Sequence, residues 1–232
     1  MLQTSANTLL PPARVDRLEQ GSLSARSYLA LRSALTEGKF RPGERLIMHR
    51  LAEMLGASVT PIREGCLRLV SEQALELRSG RFVAVPELTL SRYMEIRTIR
   101  MELEGLAAEM AASRIPKETL PVLHQLHEKY IVAERNRQTA LAMTANREFH
   151  LTICAAAGLS MLLAQIEILW VSMGPILAVY YSDMPLKHVG GEEHVKLMNA
   201  LKKHDGKKAR AAIVRDILLG GENIIPYLSK GT

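Results

Sequence analysis

Strand-like alternation occurs at one place in this 232-residue chain. Leu75-Glu76-Leu77 and Phe82-Val83-Ala84-Val85 alternate on either side of Ser79-Gly80-Arg81, a hairpin signal. Elsewhere apolar residues recur at helical spacing. Composition agrees: aromatics are 4% of the chain, while Ala, Leu, Met, Arg and Glu abound. Those side chains lose little rotamer freedom in a helix. A sheet-dominated fold is excluded, and a mainly α chain is expected. With 47% apolar and 23% charged residues it can bury a real core.

Punctuation divides the chain. Residues 1–22 contain Pro11-Pro12 and no periodicity, as in a flexible arm. A helix is expected after Ser24 as N-cap, with Leu29, Leu31, Ala34 and Leu35 on its apolar face and Gly38 as a left-handed stop. Phe40-Arg41-Pro42-Gly43 is a turn. A second helix covers about 49–55, and a third starts near Pro61 with Thr60 as its cap. Residues 23–86 thus read as a winged helix-turn-helix, three helices plus a small β-hairpin wing. Residues 87–232 read as an all-α antiparallel helical bundle, with helices near 89–113, 117–136, 138–157, 159–182, 190–203 and 207–220 and a final turn to Leu228.

Charge is split unevenly. Residues 1–86 hold 12 Lys+Arg against 8 Asp+Glu, a net +4, and residues 87–232 hold 18 against 16, a net +2. Such a bias permits a polyanionic partner without requiring one. Cys66 and Cys154 stand in apolar surroundings, as buried thiols of a reducing compartment. No apolar run near the N-terminus has the length of a secretory signal, and the longest apolar stretch, Ile168 to Tyr181, is interrupted by Ser172 and Gly174-Pro175. A cytoplasmic protein with no membrane partner is expected.

The segment around the third helix suits nucleic acid. Thr60, Arg63 and Arg68 lie along that helix, and Ser58 and Thr60 sit at its N-terminus, where free amides favour a phosphate. Gly80-Arg81 places a cation at the wing tip. The runs "LRSALTEGKFRPGERL" (31–46), "LAEMLGASVTPIREGCLRL" (51–69) and "SGRFVAVPEL" (79–88) resemble the DNA-binding domain of the GntR family of bacterial transcription regulators. The resemblance implies DNA contacts by Ser58, Thr60, Pro61, Arg63, Gly80 and Arg81; His49 and Arg50, the pair before Leu51-Ala52, depart from the family pattern and are assigned to DNA as well. Val59 stands where the family commonly has Arg, which removes one base-reading side chain. Glu64 is assigned to helix packing.

A second constellation lies in the helical half. Asn146 and His150 are one turn apart on one helix. His194 and Asp216 are equidistant from a turn centred near Asp205, so an antiparallel hairpin would set them level. Two imidazoles, a carboxylate and an amide oxygen suit a divalent ion such as Zn²⁺, Ni²⁺ or Mn²⁺. The same residues also fit a hydrogen-bonded helical core. "EIRTIRMELEGLAAEMAA" (95–112), "NREFHLTICAAAG" (146–158) and "EEHVKLMNALKKHDGKKARAAIVRDI" (192–217) resemble the FCD effector domain of FadR-type GntR regulators. That resemblance implies a metal on Asn146, His150, His194 and Asp216 and a small organic acid as effector. Asn146 stands where the family usually has Asp, and Asp216 where it usually has His. Arg100 has two readings: a carboxylate clamp for the effector, or a surface pair with Glu104.

The remaining candidates read as structure. His124 and His127 fall on a polar helix, as solvated surface; His188 and His204 fall in loops; Trp170 belongs to a core or pocket wall. Ser172 and Ser182 lack a triad pattern, and no phosphate-cradling Gly-rich loop is present. The expectation is a ligand-responsive regulator and not an enzyme: a homodimeric repressor released from a palindromic double-stranded DNA operator by a small organic acid. A metal-dependent enzyme and a ligand-free helical interaction protein are the alternatives.

Overall fold

The computed structural model describes residues 23–79, 81–183 and 190–229. The arm at 1–22, Gly80 and His188 therefore lie outside the described residues.

Helix α1 spans Leu23–Thr36. It starts before Ser24, so Ser24 is not its cap; the Ser24 hydroxyl instead hydrogen-bonds Glu64 on the third helix. The buried face is Ser27, Tyr28, Leu31 and Leu35, while Leu29 is 59% exposed. Two residues apart means about 200° around a helix, so Leu29 and Leu31 cannot share a face. Gly38 takes φ +68°, the left-handed stop its position requires.

A short strand, β1 (Arg45–Ile47), precedes α2 (Met48–Leu55), and α3 runs Val59–Ser71. Ser58 occupies the N-cap position of α3, which puts Thr60 and Pro61 inside the first turn. Strands β2 (Glu76–Ser79) and β3 (Phe82–Ala84) complete an antiparallel sheet of order β1-β3-β2. The wing is thus three-stranded. Pairing sets Leu46 opposite Val83, both buried against Leu31, Leu35, Ile62, Cys66 and Leu69. Residue 85 is tied to the sheet by bonds in both directions, Gly43 N–H to the Val85 carbonyl at 3.0 Å and Val85 N–H to the Glu44 carbonyl at 2.9 Å.

The helical half comprises α4 (Leu90–Ala112), α5 (Thr119–Arg135), α6 (Thr139–Ala156), α7 (Ser160–Asp183), α8 (Gly190–Lys202), α9 (Gly206–Gly220) and α10 (Ile224–Ser229). Thr89 caps α4 by accepting from Arg92 N–H at 3.2 Å, and Asp205 caps α9 by accepting from Lys208 N–H at 3.1 Å. Phe149, Ile153, Ile166, Leu197, Leu201 and Ile213 are fully buried in its core. Each such side chain contributes about 1.5–3 kcal/mol of apolar burial.

Helix α7 links the two halves. From Ser160 to Ser182 it is long and apolar enough to cross a bilayer by length and composition, more than the interrupted run suggested. Its neighbours explain the composition: Trp170 packs into the core of the helical half and the adjacent Val171 into that of the winged half. Gly174 lies against the end of α1, where a Cβ would collide with the Leu35 and Thr36 carbonyl oxygens. The inter-half surface also holds an Arg32–Glu167 ion pair at 3.3 Å.

Candidate functional site

On the winged half, His49, Arg50, Ser58, Thr60, Arg63 and Arg81 are all exposed. Ser58 makes no side-chain cap to α3, so its hydroxyl is not spent on the helix end. Pro61 is different. It is buried, and its ring packs inward in the first turn of α3, so it shapes the helix and offers no surface to DNA. Arg68 lies 3.7 Å over the Tyr28 ring and 3.5 Å from Glu72, which turns it toward α1 and away from a groove.

In the helical half, α6, α8 and α9 bring three candidate residues together. His150 Nε2 is 3.0 Å from Asp216 Oδ2, and His194 Nε2 is 3.6 Å from Asp216 Oδ1. All three residues are buried. His194 of α8 and Asp216 of α9 thus face one another across the helix hairpin. Asn146, one turn before His150, lines the adjoining cavity with His150 and Asp216.

Each histidine has a partner on its other ring nitrogen. His150 Nδ1 is 2.7 Å from Glu104 Oε2, and His194 Nδ1 is 3.4 Å from His127 Nδ1. Phe149 stacks on the His194 ring at 3.9 Å. The two Nε2 atoms, in contrast, are buried and make no aligned hydrogen bond. They converge on one carboxylate, and the ligand atoms of the trio all lie within 4.8 Å of one another. In a tetrahedral shell with bonds of about 2.1 Å, ligand atoms stand about 3.4 Å apart. The observed 3.0 and 3.6 Å, each to a different oxygen of the Asp216 carboxylate, lie on either side of that edge. The residues present fit a divalent ion, with Glu104 and His127 as outer partners that fix the ring orientations.

Electrostatics differ sharply between the two rings. Burial opposes a proton on His150, but the close Asp216 carboxylate at Nε2 and the Glu104 carboxylate hydrogen-bonded at Nδ1 outweigh it and push the pKa up to about 9. Burial of His194, against the weaker pull of Asp216, brings its pKa down to about 4. Burial would raise the Glu104 and Asp216 carboxyls; the Arg100 charge at Glu104 and the His194 and His150 charges at Asp216 prevail and hold both below the ordinary range.

Arg100 is only 6% exposed, so its pair with Glu104 is a buried one, 2.6 Å from Nε to Oε1, and not a surface bridge. Its guanidinium also lies 4.0 Å over the Trp170 ring. Much of its bonding capacity is therefore spent on Glu104, which in turn orients His150. His127 likewise is half-buried against His194 and not on a solvated face.

The cavity beside the trio offers about 60 Å³ to the centres of water-sized molecules, room for several waters or a small ligand. Tyr93, Arg97 and Arg100 of α4 line one side, and Tyr130, Tyr180 and Tyr181 the other. Tyr130 OH donates to Glu134 at 2.7 Å. At the far end the Tyr93 hydroxyl sits against Gly221, occupying the space a Cβ would need. Arg97 and Tyr93 escaped the sequence reading, although Tyr93, Arg97, Arg100 and Glu104 at i, i+4, i+7 and i+11 trace one face of α4. A polar stripe on the inward face of a core helix was the available signal.

Residues 23–85 match the model of the bacterial regulatory proteins of the gntR family, and residues 95–218 match the FCD domain. The HTH-type transcriptional regulator McbR of Escherichia coli is 35% identical over 198 residues, 84% of this chain and 89% of that one. A probable D-xylose utilization operon transcriptional repressor of Paenarthrobacter nicotinovorans is 29% identical, over 79% of this chain and 80% of that one. The solved structure of E. coli McbR/YncC superposes with a TM-score of 0.81 at 33% identity, over 91% of this chain and 99% of that one. A regulator from Rhodococcus sp. RHA1, at 17% identity and a TM-score of 0.72, shares the fold. The chain belongs to the GntR family of bacterial regulatory proteins, and is a ligand-responsive DNA-binding transcriptional regulator whose winged helix-turn-helix is joined to an FCD effector domain.

Proposed function

We propose that this regulator is a homodimeric, cytoplasmic repressor released from a palindromic operator when a small organic acid enters the FCD cavity beside a divalent metal. The observation that carries the effector half is the convergence of two buried Nε2 atoms, neither in an aligned hydrogen bond, on the Asp216 carboxylate at the wall of a cavity with room for several waters. His150, His194 and Asp216 would hold Zn²⁺, Ni²⁺ or Mn²⁺, with Asn146 beside them. The metal would supply a Lewis-acidic seat for a carboxylate. The chain's own part is to orient the rings through Glu104 and His127 and to keep water out with Phe149 and Trp170.

On the DNA side, α3 enters the major groove, with Thr60 and Arg63 toward base edges and Ser58 toward a phosphate. His49 and Arg50 reach the flanking backbone, and the wing brings Arg81 to it from the other side. Exposed Ile99 and Leu106, two turns apart on α4, give a second copy an apolar strip to cover.

Two substitutions test the two halves. Arg63→Ala should weaken operator binding in a gel shift by about tenfold or more while the circular dichroism is unchanged. Binding equal to wild type would sink the placement of α3. His150→Ala should strip the purified protein of metal in elemental analysis and abolish release of operator by acid. A wild-type protein with no bound ion, and with release unchanged in the variant, would remove the metal-assisted reading.

A further inference from the structure

We infer that the cavity takes a small dicarboxylate, held at one end by the His150–His194–Asp216 set and at the other by Arg97. The inference rests on the proposed seat for a carboxylate at the first end and adds a second anion site on a residue so far given no role.

Arg97 is 7% exposed and lines the cavity. One terminal nitrogen donates to the Leu218 carbonyl at 2.9 Å, and the other reaches Met94 Sδ at 3.8 Å, a weak acceptor. Its Nε is buried without any hydrogen-bond partner. A buried guanidinium with an open donor is costly, and a carboxylate is the acceptor its fork fits best. Arg100 cannot take this role in the same way, because Glu104 already holds its Nε and Trp170 covers its face.

Spacing sets the ligand's length. Arg97 and Glu104 stand seven residues apart on α4, and Glu104 touches His150. On the facing helix α9, the cavity is lined from Asp216 to Gly220, about 6 Å along the axis, and Gly221 follows at the helix C-cap. Tyr93 and Gly221 close the far end beside Arg97. A chain of four or five carbons with an acid at each end spans that distance. A monocarboxylate of the same length would leave Arg97 facing a methyl group.

The test is isothermal titration of the full-length protein, supplied with Zn²⁺ or Mn²⁺, with succinate against butyrate and glutarate against pentanoate. Wild type should bind at least one diacid about tenfold more tightly than its monoacid counterpart. Arg97→Gln should erase that preference while leaving the monoacid affinity within about twofold. If Arg97→Gln loses its helical circular dichroism, Arg97→Lys, which keeps the charge and removes the fork, should show a reduced preference. A merely structural role at the end of α9 would lower stability and leave the diacid-to-monoacid ratio unchanged. Equal binding of diacid and monoacid by wild type, or an undiminished preference in a folded Arg97 variant, overturns the inference while sparing the acid-effector reading. If none of the four acids binds, both fall.

Discussion

His150 and His194 share a carboxylate and are driven to opposite protonation states. With metal removed, His150 has a folded pKa raised to about 9. Its stabilising contribution is fully present below the ordinary histidine pKa and is lost as pH rises through the folded value. His194, lowered to about 4, acts in reverse: below the ordinary pKa the unfolded chain takes up a proton that the folded chain refuses. Stability of the chelated protein is therefore expected to peak near pH 6.5, the ordinary histidine value, and to fall on both sides, by on the order of 5 °C in melting temperature. His150→Gln should flatten the alkaline limb, and His194→Gln the limb between pH 4 and 6.5. Parallel curves for all three proteins would show that the rings do not sense their surroundings in this way. These four ligand candidates were legible in the sequence because Asn146 and His150 are local, one turn apart, and because a hairpin makes His194 and Asp216 neighbours by arithmetic. From the sequence, His127 reads as solvated surface, and Glu104 enters only as a surface partner in one of the two readings of Arg100, because nothing within α4 or α5 says which neighbouring helix brings a histidine to them. That is a matter of packing between α4 and α6 and between α5 and α8.

At the level of elements, α7 is the shared part. It presents Trp170 to one core and Val171 to the other, and Gly174 lets the end of α1 approach its backbone. A methyl group at 174 has no room unless α1 moves, so Gly174→Ala is expected to destabilise the folded chain by about 1–3 kcal/mol, lowering the melting temperature by several degrees. Operator binding in the absence of effector should stay within a few-fold of wild type, since α3 is untouched. An unchanged melting temperature would mean that α1 and α7 are not locked together as the structure has them. Periodicity found the long helices to within one or two residues because each buries a sustained stripe. It missed β1 because three residues carry no period, and the strand exists only through its pairing with β3. It also misread α1, whose buried face is set by Tyr28 and not Leu29: the sequence offers both as apolar, and contact with α3 decides.

The whole molecule joins two reading surfaces through that helix and through Arg92 of α4, whose guanidinium donates to the Gln73 carbonyl at 2.6 Å, and thermodynamic linkage constrains how they communicate. If a diacid at Arg97 weakens operator binding by some factor, operator DNA must weaken diacid binding by the same factor. Trp170 is placed to carry part of this coupling: it touches the Arg100 guanidinium and lies 5.3 Å, ring to ring, from His150, while its neighbour Val171 belongs to the core beneath α1. Trp170→Phe keeps an aromatic wall but shortens the ring that bridges these groups. Titrating succinate into the free protein and into the operator complex, and operator into the protein with and without succinate, should give two equal coupling factors in wild type. In Trp170→Phe both factors should fall together by several-fold, with the separate affinities changed less. Factors that differ between the two directions would mean that succinate or DNA binds at a second place. Factors that stay at the wild-type value would take Trp170 out of the path and leave the Arg32–Glu167 pair, the Gly174 contact and the Arg92–Gln73 hydrogen bond as routes between the halves.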